Sequence, residues 1–342
     1  MRARNLGKTG IRVSEIGLGG LFTSSLGGGL GETVLILEKA VEAGITFLDT
    51  APAYADSEQV LGQALRRLGS RGRSLVLSTK LGGRPKPFDP RDAAGLKASV
   101  DESRRLLDRE VLDVLLIHEP DRPQLYDWWS DHLACEGPVL EVVRRLKQDG
   151  VVRAYGLGGT TVAEMSHCVR TGRFEVLLTA FNYNALFREA ADELLPAASG
   201  LGMGVLIGSV YGQGGMARRF NREVRERPAW LSRPRQQQLL ALYGLLDDCG
   251  LSITELSLRF VLGDPRVSCA LIGPKSADQL AASAAAAARG PLPADLAARL
   301  EVIAAMVPFR PFEEPMILPF GKGYRGPGFP NLGAGLKIGG TL

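Results

Sequence analysis

The sequence predicts an α/β protein: a (β/α)8 barrel of parallel strands with an N-terminal β-hairpin cap and an irregular Gly/Pro-rich C-terminal arm. Two observations lead there. Eight short apolar runs recur along the chain, separated by amphipathic segments. Several runs are continuously apolar, as in Val114-Leu115-Leu116-Ile117 and Val176-Leu177-Leu178; such a run suits a parallel strand buried on both faces. A doubly wound open sheet would give the same count, because closure is not visible in a count.

In chain order, Lys8-Thr9-Gly10 lies between two short extended runs and reads as a hairpin covering one barrel end. The strands expected are Ser14–Gly19, Thr46–Thr50, Ser74–Lys80, Val111–His118, Ala154–Gly158, Glu175–Asn182, Gly204–Ser209 and Val267–Ile272. Helical spacing places Val34, Leu37 and Val41 on one face of Glu32–Ala43. It does the same for Leu96, Val100, Ser103 and Leu107, and for Val139, Val143 and Leu146, where Asp149-Gly150 supplies a left-handed stop. Further helices fit Glu58–Leu68, Val162–Arg170, Glu189–Ser199, Arg235–Cys249 and Asp278–Ala288. The barrel is expected over residues 1–307. Residues 308–342 hold six prolines and eight glycines, too many breakers for another unit, and form the arm. It is ordered against the barrel or a partner subunit, or is a mobile tail.

Composition narrows the function. The chain of 342 residues is 45% apolar and 23% charged, which excludes wholesale disorder. Lys+Arg 41 against Asp+Glu 37 leaves +4 without a dense run, so nucleic acid is not an expected partner. Cys135, Cys168, Cys249 and Cys269 stand far apart in sequence without a Cys-x-x-Cys pair, so neither a zinc site nor a redox dithiol is expected. The polar start lacks a signal-peptide core, and no apolar stretch approaches a membrane span. A cytoplasmic protein acting on a small molecule is the expectation.

The chemistry gathers at strand ends. One strand ends in Asp49, with Tyr54 on the loop beyond it; the next ends in Ser78-Thr79-Lys80, and the next in Ile117-His118-Glu119-Pro120-Asp121. In a barrel these C-terminal ends form the catalytic face. Asp, Lys and His are costly to bury there unless paired. Each alone has a bland explanation: a cap, a solvated lysine, a core histidine, a loop aromatic. Together they describe proton exchange at a carbonyl oxygen. An ammonium (Lys80) brings a phenol (Tyr54) toward the working pH, a carboxylate (Asp49) holds the ammonium, and an imidazole (His118) orients the substrate oxygen.

Across roughly Arg4 to Met306 the chain resembles the aldo-keto reductase superfamily. The motifs are Leu6–Ser14, Ile16–Gly20, Phe47–Tyr54, Ser57–Leu65, Ser78-Thr79-Lys80 and Leu115–Asp121. It is most similar to the branch of D-threo-aldose, L-fucose, L-galactose and pyridoxal dehydrogenases. The resemblance implies an NAD(P)-dependent oxidoreductase using the Asp49, Tyr54, Lys80, His118 tetrad on an aldehyde, ketone or sugar hemiacetal. Leu271–Leu280 resembles the segment holding the adenosine phosphate, a turn before a helix N-terminus. Lys275 and Ser276 there favour NADP, with NAD left open by nearby Asp278. Ile207–Gly215 resembles the pyrophosphate loop. The implied cofactor set is Thr160, Ser209, Tyr211, Gly212, Gly214, Lys275, Ser276, Gln279 and Ser283. Phe22, Trp128 and Trp129 are expected to wall the substrate pocket, although both tryptophans suit packing of their loop over the barrel equally well.

Three positions depart from the family. The fifth barrel strand ends Gly156-Leu157-Gly158-Gly159-Thr160 instead of Gly-Val-Ser-Asn; Ala180 stands for a glutamine, and Gly208 for an aromatic. These departures keep two alternatives open: a cofactor-binding auxiliary or regulatory subunit with vestigial redox activity, and a non-redox lyase or epimerase. Gly321–Gly326 satisfies Gly-x-Gly-x-x-Gly but lacks the strand and helix that motif needs.

Overall fold

The computed structural model describes residues 1–84, 86–311 and 314–322. Strands β1 (Ala3–Asn5) and β2 (Arg12–Ser14) pair antiparallel as the hairpin. Its turn presses on the barrel floor: a Cβ on Gly7, whose φ is +54°, would lie 2.2 Å from the Gly204 nitrogen. Only glycine fits that approach. Leu6, Ile11 and Val13 of the hairpin join the barrel's inner cluster, so the bottom is plugged by apolar side chains.

Eight parallel strands close the barrel: β3 (Ile16–Gly19), β4 (Phe47–Asp49), β5 (Val76–Leu81), β6 (Leu112–His118), β7 (Val152–Gly159), β8 (Val176–Ala180), β9 (Gly204–Gly208) and β10 (Cys269–Ile272). Closure comes from β10, which pairs with both β9 and β3. The continuous apolar runs divide by strand parity. Val114 and Leu116 point into the barrel with Phe47, Val176, Leu206 and Leu271. Leu115 and Ile117 face the helices, packing with Leu37, Val100 and Val143. The expected strand over Ser14–Gly19 is divided at Glu15, whose carboxylate draws in the Arg4 guanidinium at 3.2 Å.

Helices Gly29–Glu42, Ser57–Leu68, Ala93–Leu107, Pro138–Gln148, Val162–Arg170, Arg233–Cys249 and Ala277–Ala288 lie where apolar spacing puts them. The segment expected as helix over Glu189–Ser199 is helical only over Leu194–Gly200. Helices Ile253–Leu262 and Ala294–Ala305 were not anticipated; the first is opened by Ser252, whose hydroxyl accepts from the Glu255 N–H at 3.1 Å. The four cysteines are free. The fold nevertheless brings Cys135 and Cys168 together, their sulfurs 3.1 Å apart.

Past the last helix, the described residues up to 322 return over the C-terminal rim without regular structure. Glu314 pairs with Arg235 at 2.9 Å, both side chains fully buried. Arg310 donates to the Met316 carbonyl at 2.9 Å and the Phe181 carbonyl at 3.3 Å. Ile317, Leu318 and Phe320 are buried. Phe312, Glu313 and residues 323–342, with most of Gly321–Gly326, lie outside the described residues.

Candidate active site

Register and parity assemble the site. Asp49 pairs with Ser78, Lys80 with Leu116, and His118 with Gly158, so the stagger climbs two residues per strand. Phe47 and Leu116 are inward-facing, and residues two further on share their face. Asp49, Lys80 and His118 therefore converge at one sector of the mouth. Tyr54 joins them through a tight turn in which its N–H donates to the Ala51 carbonyl at 3.0 Å.

Lys80 Nζ donates to Asp49 Oδ2 at 2.6 Å and to the Thr50 carbonyl at 2.8 Å. It lies 4.8 Å from the centre of the Tyr54 ring. The Tyr54 and His118 rings meet edge to face, centroids 5.8 Å apart. Lys80 is 1% exposed and Asp49 3%. Burial alone would lower the lysine pKa, but Asp49 and Tyr54 more than offset this and keep Lys80 an ammonium. Burial also raises the Asp49 pKa, against the pull of Lys80.

The expectation for Tyr54 changes sign. Burial pushes its phenol above the ordinary range, and Lys80 only partly opposes this. Desolvating a phenolate costs more than one neighbouring ammonium returns. Tyr54 is thus held protonated. His118 is driven well below its usual pKa by burial, with Lys80 and Arg122 adding to the effect, and is neutral.

Trp128 does not line the mouth. It is fully buried, and its indole N–H donates to the His118 carbonyl at 2.9 Å, bracing the histidine from behind. Trp129 is also buried, against Phe174. Packing is what these two residues do. The aromatic beside the mouth is Tyr126, whose ring crowds Gly82 together with His118.

The other expected residues, Thr160 apart, cluster at the β9–β10 sector. The Ser276 hydroxyl caps Ala277–Ala288, accepting from the Gln279 N–H at 3.3 Å; the Gln279 amide oxygen accepts from the Lys275 N–H at 2.8 Å. Tyr211 and Ser283 share a 3.1 Å hydrogen bond, joining the loop after β9 to this helix. That loop turns through Ser209, Gly212, Gln213 and Gly214, all at positive φ. The Lys275 ammonium sits 4.5 Å above the Phe22 ring, placing Phe22 among these residues. A cation, a helix N-terminus and a glycine-bearing turn side by side suit a phosphorylated cofactor.

Thr160 follows β7 directly, across the mouth. Its hydroxyl meets Glu119 at 3.3 Å and Arg122 at 3.0 Å, and its N–H donates to Asp121 at 2.8 Å. Glu119, Arg122, Tyr126 and Asn182, which donates to the Thr160 carbonyl at 2.6 Å, were not assigned from sequence. The strand-end rule that found His118 extends to Glu119 and Arg122 beside it. Ala180 and Gly208 pair across β8 and β9, and a Cβ on Gly208 would come within 3.1 Å of Ala180. The missing side chains thus leave this part of the mouth small-lined, beneath Met316 and Ile317 of the arm.

A closed parallel barrel with a buried Lys–Asp pair under a tyrosine at its C-terminal mouth defines the class: a (β/α)8 barrel with ionisable side chains gathered at the end where enzymes of this fold place their active sites. The chain belongs to the aldo/keto reductase family, whose profile matches residues 16–305. It is 29% identical to L-galactose dehydrogenase of Arabidopsis thaliana over 294 residues, 83% of this chain and 87% of that protein. It is 30% identical to D-threo-aldose 1-dehydrogenase of a Pseudomonas species over 238 residues, 61% of this chain and 69% of that protein. An aldo-keto reductase from Bacillus halodurans, solved in its holo form, superposes with a TM-score of 0.72 at 25% identity, covering 92% of this chain and all of that one (100%). The protein is accordingly an oxidoreductase of a family that acts on aldehydes or sugars with nicotinamide cofactors. Among the described residues no helix is long and apolar enough to cross a membrane, and no group of His, Cys, Asp or Glu could hold a metal ion.

Proposed function

We propose that this protein interconverts an aldehyde or sugar hemiacetal with its alcohol or lactone partner, Tyr54 exchanging the proton on the reacting oxygen. The carrying observation is the buried Lys80 ammonium, 2.6 Å from Asp49 and 4.8 Å from the Tyr54 ring. In reduction, the protonated Tyr54 gives its proton to the carbonyl oxygen as Lys80 stabilises the phenolate left behind. In oxidation the phenolate takes the proton back. Asp49 keeps Lys80 in place, and neutral His118 donates a hydrogen bond that aligns the oxygen. A nicotinamide, when bound, supplies or accepts the hydride.

Lys275, Ser276, Gln279 and Ser283 would hold the adenosine end of that cofactor, and the Ser209–Gly214 turn with Tyr211 its diphosphate. Lys275 would favour NADP over NAD by offering its ammonium to a further phosphate. Thr160 offers polar contact for the carboxamide, and the arm, through Met316 and Ile317, borders the mouth. Replacing Tyr54 with Phe tests the assignment. Turnover with an aldehyde and aldose panel is expected to fall by about 10²–10⁴-fold, whereas fluorescence titration gives an NADPH affinity near wild type. Unaltered turnover would reject Tyr54 as the proton carrier.

A further inference from the structure

Beside the tetrad lies a polar cluster that proton exchange does not use. Glu119 follows His118 and leaves the strand through a left-handed backbone, φ 50°. Such conformations persist in non-glycine residues only where the surroundings impose them. Here the Glu119 N–H donates to the Gly158 carbonyl at 2.7 Å. The Glu119 carboxylate lies 2.9 Å from Arg122 Nε and accepts from the Thr160 hydroxyl at 3.3 Å. Thr160 is fixed in turn by Asp121 and Asn182, so residues around three neighbouring strand ends build the cluster.

The carboxylate borders the reacting centre. Its charge acts on both the Tyr54 and Tyr126 phenols, while burial pushes its own carboxyl up to about 7 against the opposing pull of Arg122, Thr160 and Lys80. It is not sealed off: the Glu119 side chain is 14% exposed. Across the mouth, Ala180 and Gly208 offer no side-chain polar group. A carboxylate with one oxygen held by Arg122 and Thr160 is suited to accept a hydrogen bond from a substrate hydroxyl, and has nothing to offer an alkyl chain.

We propose that Glu119, positioned by Arg122 and Thr160, is a specificity-determining residue that accepts a hydrogen bond from a hydroxyl next to the reacting carbon, selecting hydroxylated carbonyl compounds such as aldoses over plain aldehydes. This rests on the hydride-transfer reading above. Glyceraldehyde and propanal, which differ only in their hydroxyls, test it with NADPH on wild type, Glu119→Gln and Glu119→Ala. Glu119→Ala is expected to lower the glyceraldehyde-to-propanal ratio of kcat/KM by about 10–100-fold, as for loss of a charged hydrogen bond, with the isosteric Glu119→Gln falling between. A ratio within about threefold of wild type in both variants, including a parallel loss on both substrates, overturns the proposal. A binding arm separates it from the redox reading. Calorimetric titration with xylitol, which needs no turnover, is expected to show at least tenfold weaker binding to Glu119→Ala. If wild type reduces neither aldehyde and oxidises no aldose with NADP or NAD, the redox reading fails, and xylitol alone decides for Glu119: weakened binding supports it, and equal binding in wild type and variant overturns it.

Discussion

The buried ion pair offers the sharpest separation of stability from chemistry. Asp49→Leu leaves the Lys80 ammonium, 1% exposed, with the Thr50 carbonyl at 2.8 Å and no carboxylate. An uncompensated buried charge of this kind costs about 3–5 kcal/mol. For a chain of this length, at about 2 °C per kcal/mol, that is a Tm loss of roughly 6–10 °C. Adding Lys80→Met removes the stranded charge. Because a well-packed apolar pair avoids the desolvation of both ions, the double variant is expected to regain wild-type stability or exceed it by about 1–4 kcal/mol. Its turnover stays lost, since Tyr54 no longer has a cation beside it. Differential scanning calorimetry and NADPH oxidation on the same preparations read both quantities. A double variant that melts as low as Asp49→Leu would mean the pair is structural; one that turns over would remove Lys80 from the mechanism.

Two further outcomes can be checked. Lys275→Met is expected to weaken NADP binding by about tenfold, the worth of one exposed charge–phosphate contact, and to leave NAD binding unchanged; equal effects on both cofactors would count against a phosphate at Lys275. His118, depressed far below the ordinary value of about 6.5, should show no imidazole titration by NMR between about pH 6 and 8. As pH falls through 6.5 the unfolded chain takes this proton first, so the contribution of His118 to stability is lost toward acid; a native-state titration near 6.5 would refute its burial as neutral imidazole.

Much of this protein was legible along the chain because the relevant properties are local. A run such as Val114–Ile117, apolar at every position, declares both its faces buried, and the barrel uses both. Asp49, Lys80 and His118 stand at strand ends, and a period of two carries each to the inward side. Helix Val162–Arg170 matched to the residue, since spacing and polarity sufficed. The helix expected over Glu189–Ser199 starts only at Leu194, because the chain before it is spent on other contacts: the Ala190 N–H donates to the Asn182 carbonyl at 3.0 Å and the Ala191 N–H to the Arg188 carbonyl at 2.8 Å.

What tertiary structure alone decided follows from burial by distant neighbours. Sequence identified Tyr54 and Lys80 as partners, but whether the phenol is pulled down or pushed up depends on how much water the fold removes, and here desolvation prevails. For Trp128 the sequence leaves a pocket wall and loop packing equally open, and the fold turns its N–H onto the His118 carbonyl. The Glu119–Arg122–Thr160 cluster and the Arg235–Glu314 pair join residues up to 79 positions apart, through contacts that no local pattern records. Residue type and spacing decide which groups reach the rim; the packing around them decides their charge and partners, because solvation is a property of the surroundings.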